Sequence, residues 1–202
     1  MKIGVLALQG AFAEHILMLK KLGAETAEVR LPAQLDNLDG LIIPGGESTT
    51  MGKLMVDFNL LDPLREFGLD RPIWGTCAGA ILLSKDAHRE QPLLHLMDIT
   101  VQRNAFGRQV DSFEAALDVS KLKQAGDTRE AHPFHALFIR APIIESVSGN
   151  AKALVTLPDG RIVAAQDAHL LATSFHPELT GDTRFHEYFL TLVKDKDLKH
   201  IA

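Results

Sequence analysis

Pro72-Ile73-Trp74-Gly75-Thr76-Cys77-Ala78-Gly79-Ala80-Ile81-Leu82-Leu83 carries the one cysteine of the chain between two apolar runs. An extended segment up to Trp74 and a helix from Ala78 demand a sharp reversal between them, and glycines at 75 and 79 leave room for it. A turn of this kind lifts the residue at its apex out of the packed interior, onto a helix N-terminus. There the unpaired amides and the positive end of the helix dipole favour thiolate over thiol, and thiolate is the nucleophilic form. By chance a lone cysteine has glycine at both second neighbours only about 0.5% of the time. The spacing therefore argues for a reactive thiol over a small buried hydrophobe.

The same grammar of strand, turn and helix extends in both directions. Ile3-Gly4-Val5-Leu6-Ala7-Leu8 is almost wholly apolar, as a strand covered on both faces should be. Phe12, Ile16, Leu19 and Leu22 follow at helical spacing, with Gly23 as the stop. Thr26 to Val29 and Leu41-Ile42-Ile43 read as further strands, and Thr49 to Phe58 as a helix. From Ile99 to Val119 the pattern alternates, notably in Asp98-Ile99-Thr100-Val101 and Phe113-Glu114-Ala115-Ala116-Leu117, which adds strands at one end. Leu137-Phe138-Ile139, Ala153-Leu154-Val155, Ile162-Val163-Ala164-Ala165 and Leu170-Leu171-Ala172 are the last strand candidates before a helix from Thr183 to Val193. The expectation is an α/β fold with three layers and an open, mostly parallel sheet carrying antiparallel additions. Polar Lys121 to Glu130 and the His132-Pro133-Phe134-His135 stretch that follows read as surface loop. Two histidines without further ligands there do not make a metal site.

At 202 residues the chain suits one domain, residues 1–202. A net charge of −5 gives no electrostatic reason to expect nucleic acid or an anionic membrane as partner. One cysteine excludes an intrachain disulfide. Met1-Lys2 runs into a strand without a signal-peptide pattern, and no apolar run approaches the ~20 residues of a membrane helix. The reducing cytoplasm is the expected compartment.

A nucleophilic thiol needs a base, and nine histidines compete for that role. His176 has a carboxylate two residues on, in Ser174-Phe175-His176-Pro177-Glu178. In extended backbone Glu178 would share its side and reach the far ring nitrogen, giving a Cys-His-Glu triad in which the acid orients the imidazole. Pro44-Gly45-Gly46-Glu47-Ser48-Thr49 follows the third strand and opens a helix. It is either a simple cap with Ser48 as N-cap, or a loop whose amides face a ligand. Acyl transfer forms an oxyanion that two amides stabilise, and Gly46 and Ala78 would supply them. The lysine that ends a phosphate-binding loop is absent.

With these residues in place, the chain resembles the class I, triad-type glutamine amidotransferases, and among them the family of glutaminase subunits of pyridoxal 5'-phosphate synthase. Gly75-Thr76-Cys77-Ala78-Gly79 and Ser174-Phe175-His176-Pro177-Glu178-Leu179-Thr180 carry the wider class. Gly4-Val5-Leu6-Ala7-Leu8-Gln9-Gly10-Ala11 and Arg103-Asn104-Ala105-Phe106-Gly107-Arg108-Gln109 carry the narrower one. Pro44 to Thr50 and Phe138-Ile139-Arg140-Ala141-Pro142 add to both.

The resemblance implies a flavodoxin-like fold and hydrolysis of L-glutamine, with Cys77 as nucleophile, His176 as base then acid, and Glu178 as orienter. It implies substrate contacts from Gly46, Glu47, Ser48, Arg103, Ile139 and Arg140, with no metal and no cofactor. It also implies a (β/α)8-barrel synthase as the partner that takes the ammonia, and Gln9-Gly10 as the element that senses its docking. Two further readings stand beside it: a free-standing cysteine hydrolase of γ-glutamyl substrates, and a non-catalytic subunit. An intact set of Cys77, His176 and Glu178 speaks against the second.

Overall fold

The computed structural model of the chain describes residues 1–103, 112–122 and 132–200. Three buried apolar strands, β1 (Lys2–Leu6), β3 (Gly40–Ile43) and β4 (Ile73–Thr76), form its centre, with β2 (Glu25–Val29) at the edge. The glutamates of β2 suit an edge, where charge discourages pairing with another chain. Helices α1 (Phe12–Lys21), α2 (Ser48–Asp57) and α3 (Leu61–Asp70) connect these strands, and α4 (Ala78–Leu83) leaves β4 through Cys77.

The second half supplies β5 (Ser84–Asp86), β6 (Met97–Gln102), β7 (Ser112–Leu117), β8 (Phe134–Ile139), β9 (Ile143–Val147), β10 (Lys152–Thr156), β11 (Ile162–Asp167) and β12 (Leu170–Thr173). Helix α5 (Arg184–His200) follows.

The main sheet runs β2-β1-β3-β4-β12-β11-β9-β6-β5, with β10 paired to β11. From β2 to β12 every pairing is parallel, the pairings from β12 through β11 and β9 to β6 are antiparallel, and β5 closes the edge parallel to β6. β7 and β8 pair antiparallel as a separate two-stranded sheet. Because strand residues alternate faces, each central strand feeds two cores. Leu41, Ile43, Ile73 and Ala172 pack with Met51, Met55, Leu64 and Phe67 of α2 and α3. Ile3, Val5, Ile42, Trp74 and Leu171 pack with Leu19 of α1, Phe185 and Phe189 of α5, and Phe134 and Phe138 of β8. The outcome is three layers, as the alternation of strands and helices implies.

Several local readings change, and the short β5 is a strand that the sequence did not suggest. α3 went unread although Leu64, Phe67 and Gly68 lie on one buried face. Its Pro63 sits in the first turn, where the missing N–H costs no helix bond. β9, also unread, joins β6 to β11 across the sheet. α5 continues past Val193 to His200.

The stretch read as loop divides. Ser120–Leu122 form a 3₁₀ turn that buries Leu122, and residues 123–131 lie outside the described residues. Phe134 and His135 begin β8, where they face Leu117 and Ala116 of β7. Burial of the Phe134 ring among Phe175 and Phe185 draws this segment into the strand.

The close approach of α4 to the sheet rests on Gly79, since a Cβ there would lie 2.0 Å from the Ile43 carbonyl oxygen. No side chain can swing aside to relieve that contact. Gly79→Ala should therefore cost about 2–4 kcal/mol, the scale of a severe overpacking, read as a lowered midpoint in urea unfolding.

Candidate active site

The carboxyl ends of β1, β3, β4 and β12 lie side by side, and the segments leaving them build the site. This is where open parallel sheets present ligands. β4 ends at Thr76, α4 begins at Ala78, and Cys77 makes the reversal alone, with φ +48° and ψ −102°. Positive φ is strained for a residue with a Cβ and persists only where its surroundings enforce it. The Cys77 N–H donates to the Thr173 carbonyl at 2.8 Å, one residue beyond the Thr76–Thr173 register of β4 and β12. A Cβ on Gly75 would lie 2.4 Å from the Gly79 backbone, so the turn can close only over glycine. Cys77 is less exposed than its apex position implied, at 7%, yet it lines the pocket described below.

His176 follows β12 by three residues and is held by its N–H to the Leu137 carbonyl, 2.9 Å. Its Nδ1 lies 2.7 Å from Glu178 Oε1. This contact does not use extended backbone, as the two-residue spacing suggested. Pro177–Leu179 form a 3₁₀ turn with Pro177 at its start, and the turn folds Glu178 back beneath the ring.

The Cys77 side chain is the second group that favours the charged ring. Burial opposes charge on His176. The hydrogen bonds and charges of Cys77 and Glu178 outweigh it and hold the imidazole pKa up to about 10. His176 thus keeps its proton at neutral pH, poised against the sulfur.

The glycine loop after β3 forms the facing wall. Gly45 lies so close that a Cβ there would be 2.4 Å from His176 Cε1. Glu47, not Ser48, caps α2, with its carboxylate accepting from the Thr49 and Thr50 N–H groups. Burial nudges the Glu47 pKa up, but these bonds and the Thr50 hydroxyl pull it down to about 2. Arg103 Nη2 meets the same carboxylate at 3.1 Å. Across the loop, Gln9 Oε1 accepts from the Glu47 N–H at 2.8 Å, and Gly10 (φ +96°) admits no Cβ, which would fall 1.8 Å from the Gly45 carbonyl oxygen.

The pocket between these walls holds about 430 Å³, in the range of small-molecule sites. Cys77, His176, Gly46 and Ala78 line it. So do Glu47, Ser48, Arg103, Ile139, Arg140, Gln9 and Gly10, all singled out in the sequence. Glu178 stands behind His176, outside the lining. Asn104 to Gln109, part of the quoted resemblance, lie outside the described residues.

Sequence reasoning missed the lining of Ile81 and Pro142, and the pair that holds Arg103: Thr49 Oγ1 at 3.0 Å and Gln91 Oε1 at 3.1 Å. Pro142 sat inside a quoted motif, but nothing near Gln91 marked it. Also missed were two buried histidines beside the site. His15 Nδ1 lies 3.0 Å from His186 Nε2, and His15 Nε2 lies 3.2 Å from Thr76 Oγ1 and 3.4 Å from Glu178 Oε2. Burial drives both pKa values down, that of His186 to about 3, and the charges of His186 and His176 press further on His15.

A family model described as the SNO glutamine amidotransferase family matches residues 5–195. The chain belongs to that family. It is similar to pyridoxal 5'-phosphate synthase subunit PdxT of Herpetosiphon aurantiacus, at 59% identity over 95% of this chain and 100% of that protein. The protein of the same name from Moorella thermoacetica is 55% identical over 96% of this chain and 100% of its own length. A solved structure titled as a glutamine amidotransferase aligns with a TM-score of 0.86 at 45% identity, covering 95% of this chain and 98% of that one. The fold is that of the class I glutamine amidotransferases, and the chain is a glutaminase of this kind. Among the described residues no group of acidic, His and Cys side chains is placed to hold a metal ion. No helix there is long and apolar enough to cross a membrane.

The buried histidines make stability depend on acid. In the unfolded chain both bind protons below about pH 6.5, whereas folded His186 stays neutral down to about pH 3. The unfolded state holds more protons throughout that window, so stability rises with pH across it. Thermal unfolding should come at lower temperature near pH 4.5 than at pH 6.5, and His186→Phe should flatten the difference.

Proposed function

We propose that Cys77, His176 and Glu178 hydrolyse L-glutamine to L-glutamate and ammonia, and that the ammonia passes to a (β/α)8-barrel pyridoxal 5'-phosphate synthase subunit. The observation that carries the reading is the strained Cys77 turn and His176 lining one pocket, with Glu178 behind the imidazole at 2.7 Å. The name shared by relatives above 50% identity supports the synthase as destination.

Cys77 as thiolate attacks the side-chain amide carbon. The amides of Gly46 and Ala78 take the developing oxyanion. His176 gives its proton to the amide nitrogen, ammonia leaves, and a γ-glutamyl thioester remains. His176 then takes a proton from water, whose oxygen attacks the thioester, and the sulfur departs with glutamate released. Every proton in this sequence has a carrier among the three residues, without metal or cofactor.

The amino acid head of glutamine fits the opposite wall. Arg103 suits its carboxylate and Glu47 its ammonium, with Ser48, Ile139 and Arg140 completing the pocket. These two side chains satisfy each other in the free protein, and a zwitterion inserted between them offers each a matching charge.

The tie from Gln9 to the Glu47 N–H joins the β1–α1 loop to the loop that bears Gly46. That physical link supports Gln9-Gly10 as the element through which docking acts on the oxyanion site. A single domain over residues 1–202, working in the cytoplasm, completes the proposal.

Glutamate release, measured with and without the synthase, tests it. Activity that rises on docking and vanishes in Cys77→Ala is the expected result, with Glu178→Gln slower by roughly 10²–10⁴ through a misoriented imidazole. Equal activity without the synthase would favour a free-standing γ-glutamyl hydrolase, and none in either state a non-catalytic subunit. Gln9→Ala should bind the synthase as before but lose most of the stimulation, and full stimulation in that variant would remove Gln9 from the coupling.

A further inference from the structure

The chemistry above uses one oxygen of Glu178. The other, Oε2, is wholly buried, has no partner at hydrogen-bond geometry, and lies 3.4 Å from His15 Nε2. His15 projects from α1 and His186 from α5, both with no exposure, and neither has a task in the glutaminase reaction. The Trp74 ring stands edge-on to both, at 5.5 and 4.8 Å between centroids, and locks their planes. The titratable groups facing His15 are His186 from α5, and His176 and Glu178 from the turn after β12.

Two tautomer patterns could join these rings, and they are not equal in cost. In one, His15 carries its proton on Nδ1 and donates to His186 Nε2. His186 must then bear its own proton on Nδ1, an atom that is buried with no partner. It also turns the lone pair of His15 Nε2 toward a carboxylate oxygen. In the other, His186 Nε2–H donates to His15 Nδ1, and His15 Nε2–H donates to Thr76 Oγ1 with Glu178 Oε2 3.4 Å away, as an electrostatic contact with the same N–H. Only a lone pair on His186 Nδ1 is then left without a partner, and Glu178 gains a donor in place of a repulsion.

We propose that His186 and His15 form a neutral, directed hydrogen-bond chain to Thr76 that presents the His15 Nε2–H to Glu178 Oε2 and so positions the Glu178 carboxylate for His176. With Oε1 bonded to His176 and Oε2 drawn toward the His15 N–H, rotation of the carboxylate away from the imidazole loses both contacts. Neutrality is part of the device, since a charged His15 would compete with His176 for the same carboxylate. Both histidines are positioning residues, and the inference rests on the triad reading above.

Ring-nitrogen NMR of the chain labelled with ¹⁵N-histidine reads the tautomers directly. His15 and His186 should each be protonated at Nε2 and bare at Nδ1 at neutral pH. A proton on His15 Nδ1, or a charged ring at either position, would overturn the proposal.

Turnover in the complex with the synthase gives the second readout. His15→Leu should lower kcat roughly ten- to a hundredfold, the scale of one hydrogen bond to a charged group, with KM little changed. His15→Gln, whose amide N–H replaces the Nε2 donor, should recover most of it. Folded Leu and Gln variants with equal kcat would also overturn the proposal. If His15→Leu does not fold, the tautomers decide alone. Cys77→Ala and Glu178→Gln, measured alongside, separate the two readings. Wild-type turnover in both sinks the triad, whereas their loss with wild-type turnover in His15→Leu sinks only the chain of histidines.

Discussion

The backbone of Cys77 is held at φ +48° against its own preference, and much of the molecule serves to hold it there. A strain of about 1–3 kcal/mol needs a surround that leaves no alternative. Gly75 and Gly79 supply it by bringing α4 onto β4 and β3 at distances no Cβ would permit. The Cys77 N–H, bonded to Thr173, pins the turn to β12 from the other side. The apolar layers above and below then make the arrangement rigid, since moving α4 would open contacts on the face that buries Met51 and Ile73.

That constraint ties catalysis to strand register. Cys77 and His176 come together because β4 and β12 are parallel neighbours whose last paired residues are Thr76 and Thr173. Slipping that pair by one residue would move the cysteine turn and the histidine turn apart and send every side chain to the opposite face. The Gly45-Gly46 loop enters the site by the same logic, from the end of β3, and Gln9-Gly10 from the end of β1.

Parts of this could be read in the chain and parts could not, for physical reasons. Glycines two residues on either side of Cys77 report a close approach, which is a local fact and leaves a local trace. The same holds for the strand and helix periodicity around them. The pairing of His176 with Glu178 was legible as a spacing, but its backbone was not. Extended chain and a 3₁₀ turn both bring residues two apart into reach, and Pro177 suits either. The Glu47 cap was missed because serine is a preferred N-cap and glutamate is not, and only the position of the first helical turn shows which residue does the capping. Phe134 and His135 looked like loop from their polar surroundings, whereas a buried aromatic cluster made them strand. His15 and His186 left no trace at all. The carboxylates beside them in sequence, Glu14 and Glu187, do not mark the contact, and their partner is supplied by packing across α1, α5 and the turn after β12.

Three histidines linked to one carboxylate, two directly and His186 through His15, end in opposite states, and the difference lies in what else each one touches. His176 has a carboxylate on one nitrogen and Cys77 as a second group that favours its charge, and together they offset its burial. His186 has one ring partner and a bare nitrogen, and burial alone keeps it neutral. His15 lies between them and is kept neutral by burial first and by the charge on His176 as well. Charge is thereby confined to the side of Glu178 that faces the pocket. A site that must hold a proton on one imidazole and deliver it to a leaving group benefits from neighbours that cannot accept it.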